Sequence, residues 1–177
     1  NKIKNICIDT EGAQLRTSKI KKKIYLKKNR IVKVSNELGL SNKNNINIYP
    51  QVKLSSFKLG TELEIGFEGL KIKVIKKIIN KNYMLAKVIS SGTLDSNKGI
   101  HSSKNIFLNP LTNKDIKAID IAQKHGIKYY AMSFVNKETD IDKLRNKIKS
   151  NDVIISKIET RNSLTNLSKI IKNSNAL

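Results

Sequence analysis

The sequence contains no tryptophan and a single cysteine, Cys7. One thiol cannot close an internal disulfide, which excludes a disulfide-stapled secreted scaffold; within the apolar run Ile6-Cys7-Ile8 it is expected to be a small buried side chain. Two prolines and eight glycines in 177 residues exclude collagen-like and Pro/Gly-rich low-complexity chains. No stretch approaches the roughly 18 consecutive apolar residues of a membrane-spanning helix, and Asn1 to Asp9 lack the layout of a signal peptide. These absences predict a soluble cytoplasmic protein, with an organellar stroma or matrix left open. Negative charge is also scarce: 14 Asp+Glu face 35 Lys+Arg, for a net charge of +21. Arginine, whose fork reads phosphates and guanine edges, occurs only at Arg16, Arg30, Arg145 and Arg161. The lysines recur instead beside asparagine and isoleucine along the whole chain, as in Asn80-Lys81-Asn82 and Lys71-Ile72-Lys73. That global bias fits AT-rich codons better than a selected binding stripe, so no specific nucleic-acid partner is expected.

What is present changes texture twice. Ile3 to Asp9 reads as a short buried strand followed by the Gly12 turn. Residues 19–98 then lack helical periodicity and carry short apolar runs at 20–26, 30–34, 62–65, 71–75 and 83–89. Turn signals separate them at Lys28-Asn29, Leu38-Gly39, Asn44-Asn45, Gly66, Gly69 and Asn80-Lys81-Asn82. This predicts an all-β unit, a barrel or sandwich. From about Asn109 the pattern becomes helix, strand, helix, strand, helix. Thr112 and Asp115 form a capping-box start, Ile116, Ile119 and Ala122 an apolar face, and Gly126 a stop. The run 129–134, a helix facing inward with Ile141, Leu144 and Ile148, the run 153–159, and a helix with Leu164, Leu167 and Ile171 follow. Such alternation builds a parallel sheet, to which the strand at Ile6 would belong, making the β unit an insertion. Three βα units are too few for a closed eight-stranded α/β barrel, which takes about 250 residues.

Functional groups of parallel α/β sheets gather at the carboxyl ends of strands. These ends read Asp9-Thr10-Glu11-Gly12, Ser133-Phe134-Val135-Asn136 and Lys157-Ile158-Glu159-Thr160. Lys157 and Glu159 are two apart and share a face, with Ile158 on the other. A lysine interrupting a buried apolar strand is costly unless paired, so it marks either a site or a local Lys157/Glu159 ion pair. His101 and His125 lack ligand-spaced partners.

Asp9-Thr10-Glu11-Gly12-Ala13-Gln14-Leu15-Arg16-Thr17 resembles the DTKGPEIRT segment of the pyruvate kinase family, and Ile154-Ile155-Ser156-Lys157-Ile158-Glu159 its IISKIEN strand. Between them, residues 108–115 are similar to LPALTEKD, 131–135 to the ASFV strand, and 91–100 to the GGxLxxxKGV that closes the family's inserted lid. The resemblance implies an α/β fold: part of a (β/α)8 TIM barrel, about three βα units, with a small all-β lid inserted at 17–100 between barrel portions 1–16 and 101–177. It implies a phosphotransferase passing a phosphoryl group between phosphoenolpyruvate and ADP to give pyruvate and ATP, in the complete protein. Lys157 would neutralise the transferring phosphoryl group and Glu159 would hold Mg2+ or Mn2+. Asp9 and Thr10 would sit in a K+ site, while Arg16 and Lys98 would reach the nucleotide. A homotetramer follows if the family pattern holds.

Departures accompany the likeness. Glu11 replaces a lysine, Ala13 a proline, Asn136 the arginine after SFV, and Thr160 the asparagine of KIEN. Phe67-Glu68-Gly69 stands for Asp-Asp-Gly, and Ile100-His101-Ser102-Ser103 for VNLP. Gln14 occupies the position that carries glutamate in potassium-requiring members and lysine in independent ones, and the retained Asp9-Thr10 pair points to stimulation by potassium. The family's RLNFSHG and GDLG segments, before and after these motifs, are not among the 177 residues, so the isolated piece is expected to be inactive. Two alternatives stay open: a paralogue using the barrel for another reaction, and a non-catalytic regulatory or scaffold protein.

Overall fold

A computed structural model describes residues 6–37 and 39–177; Ile3 to Asn5 of the expected first strand, and Leu38 of the expected Leu38-Gly39 turn, lie outside the described residues. In chain order the strands are β1 (Cys7–Asp9), β2 (Leu15–Thr17), β3 (Ile24–Leu26), β4 (Ile31–Ser35), β5 (Asn45–Tyr49), β6 (Glu62–Ile65), β7 (Leu70–Ile78), β8 (Tyr83–Ser90), β9 (Gly92–Leu94) and β10 (Gly99–Ser102). There follow α1 (Asn113–Lys124), β11 (Tyr129–Met132), α2 (Glu138–Arg145), β12 (Val153–Ser156), α3 (Arg161–Thr165) and α4 (Leu167–Asn173). Two compact units result, Asn1–Ala13 with Asn109–Leu177, and Gln14–Leu108. Among the described residues, no helix is long and apolar enough to cross a membrane.

The first unit is built on a three-stranded sheet in the order β1-β11-β12, with both pairings parallel. Parallel neighbours need helical crossovers, and the sequence places α2 between β11 and β12. The Thr112 hydroxyl accepts from the Asp115 amide and the Asp115 carboxylate from the Thr112 amide, the reciprocal cap that starts α1. Ile119 and Ala122 are buried on its inner face, and Gly126 closes it at φ 70°. Asp140 accepts from the Asn136 and Lys137 amides at 3.0 and 3.2 Å at the start of α2, which buries Ile141 and Leu144. Three expectations fail. α2 ends at Arg145, so Ile148 packs on the core from beyond the helix rather than from its face. Cys7 is exposed rather than buried, because along β1 it shares the exposed face with Asp9 while Ile8 points the other way onto the core. The final helix is two helices broken at Asn166, and the break turns the phase: Ser163 and Ile170 face inward, leaving Leu164 63% and Ile171 50% exposed.

The second unit is a closed barrel in the order β10-β2-β5-β4-β8-β7-β6, sealed by the β6–β10 pairing, with β3 and β9 forming a separate two-stranded sheet. Neighbours are antiparallel except β4 and β5. Closure leaves no edge strand in the barrel, and alternation puts Val32, Val34, Leu63, Ile65, Leu70 and Ile72 into its core. The outward residues explain part of the lysine richness: Lys73 faces Glu62 at 3.1 Å and Lys71 faces Glu64 at 3.4 Å across the β6–β7 ladder. Four strands, β2, β5, β9 and β10, lie outside the expected apolar runs. β5 is polar in sequence because its asparagines are satisfied locally, with Asn47 accepting from the Ser35 hydroxyl at 2.6 Å and from Asn45 at 2.8 Å.

Candidate functional site

The three strands of the parallel sheet end side by side, which brings Asp9, Ser133 and Lys157 together from β1, β11 and β12. β11 and β12 stop at Met132 and Ser156, so Ser133, Phe134, Lys157 and Glu159 sit just beyond the carboxyl ends rather than inside longer strands. The Lys157 ammonium donates to Asp9 Oδ1 at 3.0 Å and Oδ2 at 3.2 Å and to Ser133 Oγ at 2.9 Å. Glu159 Oε1 lies 3.7 Å away. Asp9 is therefore the nearer carboxylate, and the local Lys157/Glu159 pair is only one side of a larger cluster. Ile158 points the other way and packs on the core, as the two-residue spacing requires.

The surrounding backbone is arranged to hold this cluster. Thr10, 4% exposed, donates its amide to Ala131 O at 3.0 Å and accepts from the Ser133 amide at 3.0 Å through its hydroxyl. Phe134 adopts φ 54°, a left-handed conformation that is uncommon for a bulky residue, and its amide donates to Glu159 Oε2 at 3.0 Å. One Glu159 oxygen is thereby fixed, leaving the other toward Lys157. Gly12 is at φ 69°, where a Cβ would lie 2.4 Å from Ser133 O; only glycine allows that approach. Behind the turn, buried Asp115 accepts from the Glu11, Gly12 and Thr112 amides.

Arg16 and Lys98 belong to the barrel unit. Arg16 lies opposite Gly99 in the β2–β10 pairing, and its guanidinium donates to Asn97 O at 3.3 Å. The Lys98 backbone is clamped to Thr17, donating to its hydroxyl at 2.8 Å and accepting from its amide at 2.9 Å, while its ammonium stands 3.8 Å from Glu68. The six expected site residues thus fall into a four-member group in the sheet unit and a pair in the barrel unit. Gln14, too, is a barrel residue, with its side-chain amide lying against Gly99.

The chain matches the family model for the barrel domain of pyruvate kinase over residues 1–177. It belongs to the pyruvate kinase family. It is 35% identical over 162 residues to pyruvate kinase of Buchnera aphidicola subsp. Schizaphis graminum, covering 85% of this chain and 32% of that protein. It is 25% identical over 177 residues to the Thermotoga maritima enzyme, covering 97% of this chain and 38% of the relative, and 29% identical over 188 residues to that of Dictyostelium discoideum, covering 99% and 36%. The chain thus spans about a third of the length of these relatives.

Membership makes the departures from the family pattern legible as local substitutions. Asn136 and Thr160 are hydrogen-bonded to each other, the Thr160 hydroxyl donating to Asn136 Oδ1 at 2.8 Å. Glu11 turns its carboxylate to the Lys114 ammonium on the first turn of α1 and so does not join Asp9. Ser133 and Asp115 carry the geometry without having been assigned roles from sequence. Their signal was present: Ser133 is the first residue beyond β11, and Asp115 is a capping acid, but nothing in the sequence shows that its second oxygen reaches back to Glu11. His101 rests on the exposed Phe67 ring with centroids 6.2 Å apart, and His125 caps α1. Among the described residues, no cluster of three or more His, Cys, Asp and Glu side chains could hold a metal by itself.

Proposed function

We propose that the full-length protein is a pyruvate-kinase-type phosphotransferase, passing a phosphoryl group between phosphoenolpyruvate and ADP. The observation that carries this reading is the Lys157 ammonium fixed at the strand ends between Asp9, Ser133 and Glu159. Phosphoryl transfer is mainly positioning and neutralisation of oxygen charge, and a lysine held by three partners supplies a cation whose place is set in advance. In this proposal the closed barrel is a lid inserted into a (β/α)8 barrel, Arg16 and Lys98 bind nucleotide phosphates, and the protein acts in the cytosol as a homo-oligomer.

The oxygen donors suit hard cations. Glu159, with Oε2 taking the Phe134 amide and Oε1 turned toward Lys157, would contribute one ligand to Mg2+ or Mn2+, the others coming from substrate and water. Asp9 and Thr10 offer carboxylate and hydroxyl oxygens to K+. The divalent ion would polarise phosphoryl and carbonyl oxygens. The protein's own residues orient these groups: Phe134 holds Glu159, and Ser133 holds Asp9 and Thr10. The pairing of Asn136 with Thr160 and of Glu11 with Lys114 favours this reading over a changed reaction, because each altered residue is satisfied without entering the Lys157 cluster. Lys157→Met in the full-length protein tests it. Removing the cation should lower kcat by about 10²-fold or more, with the circular dichroism spectrum unchanged. Equal turnover of variant and parent would refute the assignment.

A further inference from the structure

We propose that Ser133 is a positioning residue that sets where the Lys157 ammonium sits, an inference resting on the kinase reading above. Ser133 is 3% exposed. Its hydroxyl accepts from Lys157 Nζ at 2.9 Å and donates to Asp9 Oδ1 at 3.1 Å. A hydroxyl has one proton and two lone pairs, and an ammonium can only donate. The serine proton is therefore directed to Asp9 and its lone pair to Lys157, giving the hydroxyl one orientation.

The other partners of Lys157 cannot fix it equally well. The Asp9 side chain is 64% exposed and that of Glu159 34%, so both attract the ammonium through water-screened charge. Lysine is a point charge on a flexible four-carbon stem and needs a stationary partner to hold one position. Ser133 is stationary: its amide is tied to Thr10 Oγ1 at 3.0 Å, and its carbonyl lies where a Cβ on Gly12 would stand 2.4 Å away. Ser133 also serves Asp9. When the ammonium turns toward a phosphoryl oxygen, Asp9 keeps the serine proton and does not follow the lysine.

Ser133→Ala in the full-length protein removes only the hydroxyl, and the amide bond to Thr10 stays. The expected result is a fall of about tenfold in kcat, the scale of one lost hydrogen bond to a charged group, with the KM for nucleotide unchanged. Ser133→Thr keeps an Oγ and should retain most of the parent turnover. A second measurement is independent of activity: acylation of individual lysines by an amine-reactive ester, followed by mass spectrometry. Lys157 should react several-fold faster in Ser133→Ala than in the parent, relative to exposed Lys81. Turnover of Ser133→Ala within twofold of the parent, or unchanged labelling at Lys157, would overturn the proposal, as would a Ser133→Thr variant no better than Ser133→Ala. A parent protein without phosphoryl transfer would instead sink the kinase reading, and the labelling result would still decide the role of Ser133.

Discussion

Asp115→Asn is the most informative perturbation of the turn that carries Asp9 and Thr10. The carboxylate accepts from Glu11 N at 2.7 Å through Oδ1, and from Gly12 N at 3.3 Å and both the amide and hydroxyl of Thr112 at 2.8 Å through Oδ2. An asparagine that keeps its oxygen toward Gly12 and Thr112 must point its NH2 at the Glu11 amide, leaving that donor unsatisfied at a cost of about 1–3 kcal/mol. Loss of charge from the remaining bonds and from the N-terminus of α1 adds about 1 kcal/mol. The sum, about 2–4 kcal/mol, corresponds to roughly 30- to 1,000-fold faster exchange of amides that open with the sheet unit. Hydrogen exchange read by mass spectrometry on peptides from α1 and β11 measures it, with peptides from β7 and β8 as the internal reference. A rise of less than threefold in α1 and β11 would show that the four hydrogen bonds do not hold the turn.

Gly12→Ala should cost at least about 2 kcal/mol, because it combines φ 69° with a Cβ 2.4 Å from Ser133 O; a melting temperature equal to that of the parent would refute the close approach. Tyr130 should ionise above the ordinary tyrosine range in an alkaline titration followed by tyrosinate absorbance, read as the difference between the parent and Tyr130→Phe. Burial raises its pKa above 10.0, aided by the charge of Asp152 and opposed by the hydrogen bond from Gln123. The folded state binds this proton more tightly than the unfolded chain. The resulting stability is therefore complete below about pH 10 and lost as pH rises through the folded pKa, and a Tyr130 difference titration with its midpoint at or below about pH 10 would contradict it.

The sheet unit was legible where local chemistry and burial agree. The Thr112/Asp115 cap, the Ile141 and Leu144 face, and the lysine at a strand end each follow from residue type and spacing, and each is present. The barrel was legible as a class and poorly as a strand count. β2, β9 and β10 are three or four residues long, too short for alternation to register. β5 hides behind Asn45 and Asn47, whose side chains find partners in Ser35 and in each other. The phase of the last helix failed because Asn166 ends α3 and begins α4, donating its side-chain amide to Asn136 O at 2.9 Å, a tertiary bond that no helical period encodes. The grouping of Asp9 with Lys157 was implied by the family likeness, but its connection through Ser133 required three strand ends in register.

The antiparallel pairing of β2 with β10, with Leu15 opposite Ile100 and Arg16 opposite Gly99, bears on how the chain folds. Thr10 and Ser133 are 123 residues apart in sequence, so joining β1 to β11 in an unfolded chain closes a very long loop. Once the barrel has formed, its first and last strands are neighbours, and the loop shrinks to about 40 residues of free chain, lowering the closure cost by about 1 kcal/mol. Most barrel contacts span shorter separations and are made without the sheet. Barrel closure thus acts as an entropic clasp: with β2 held beside β10, the docking of β1 on β11, and with it the meeting of Asp9 with Lys157, costs less chain entropy than it would in the unfolded chain.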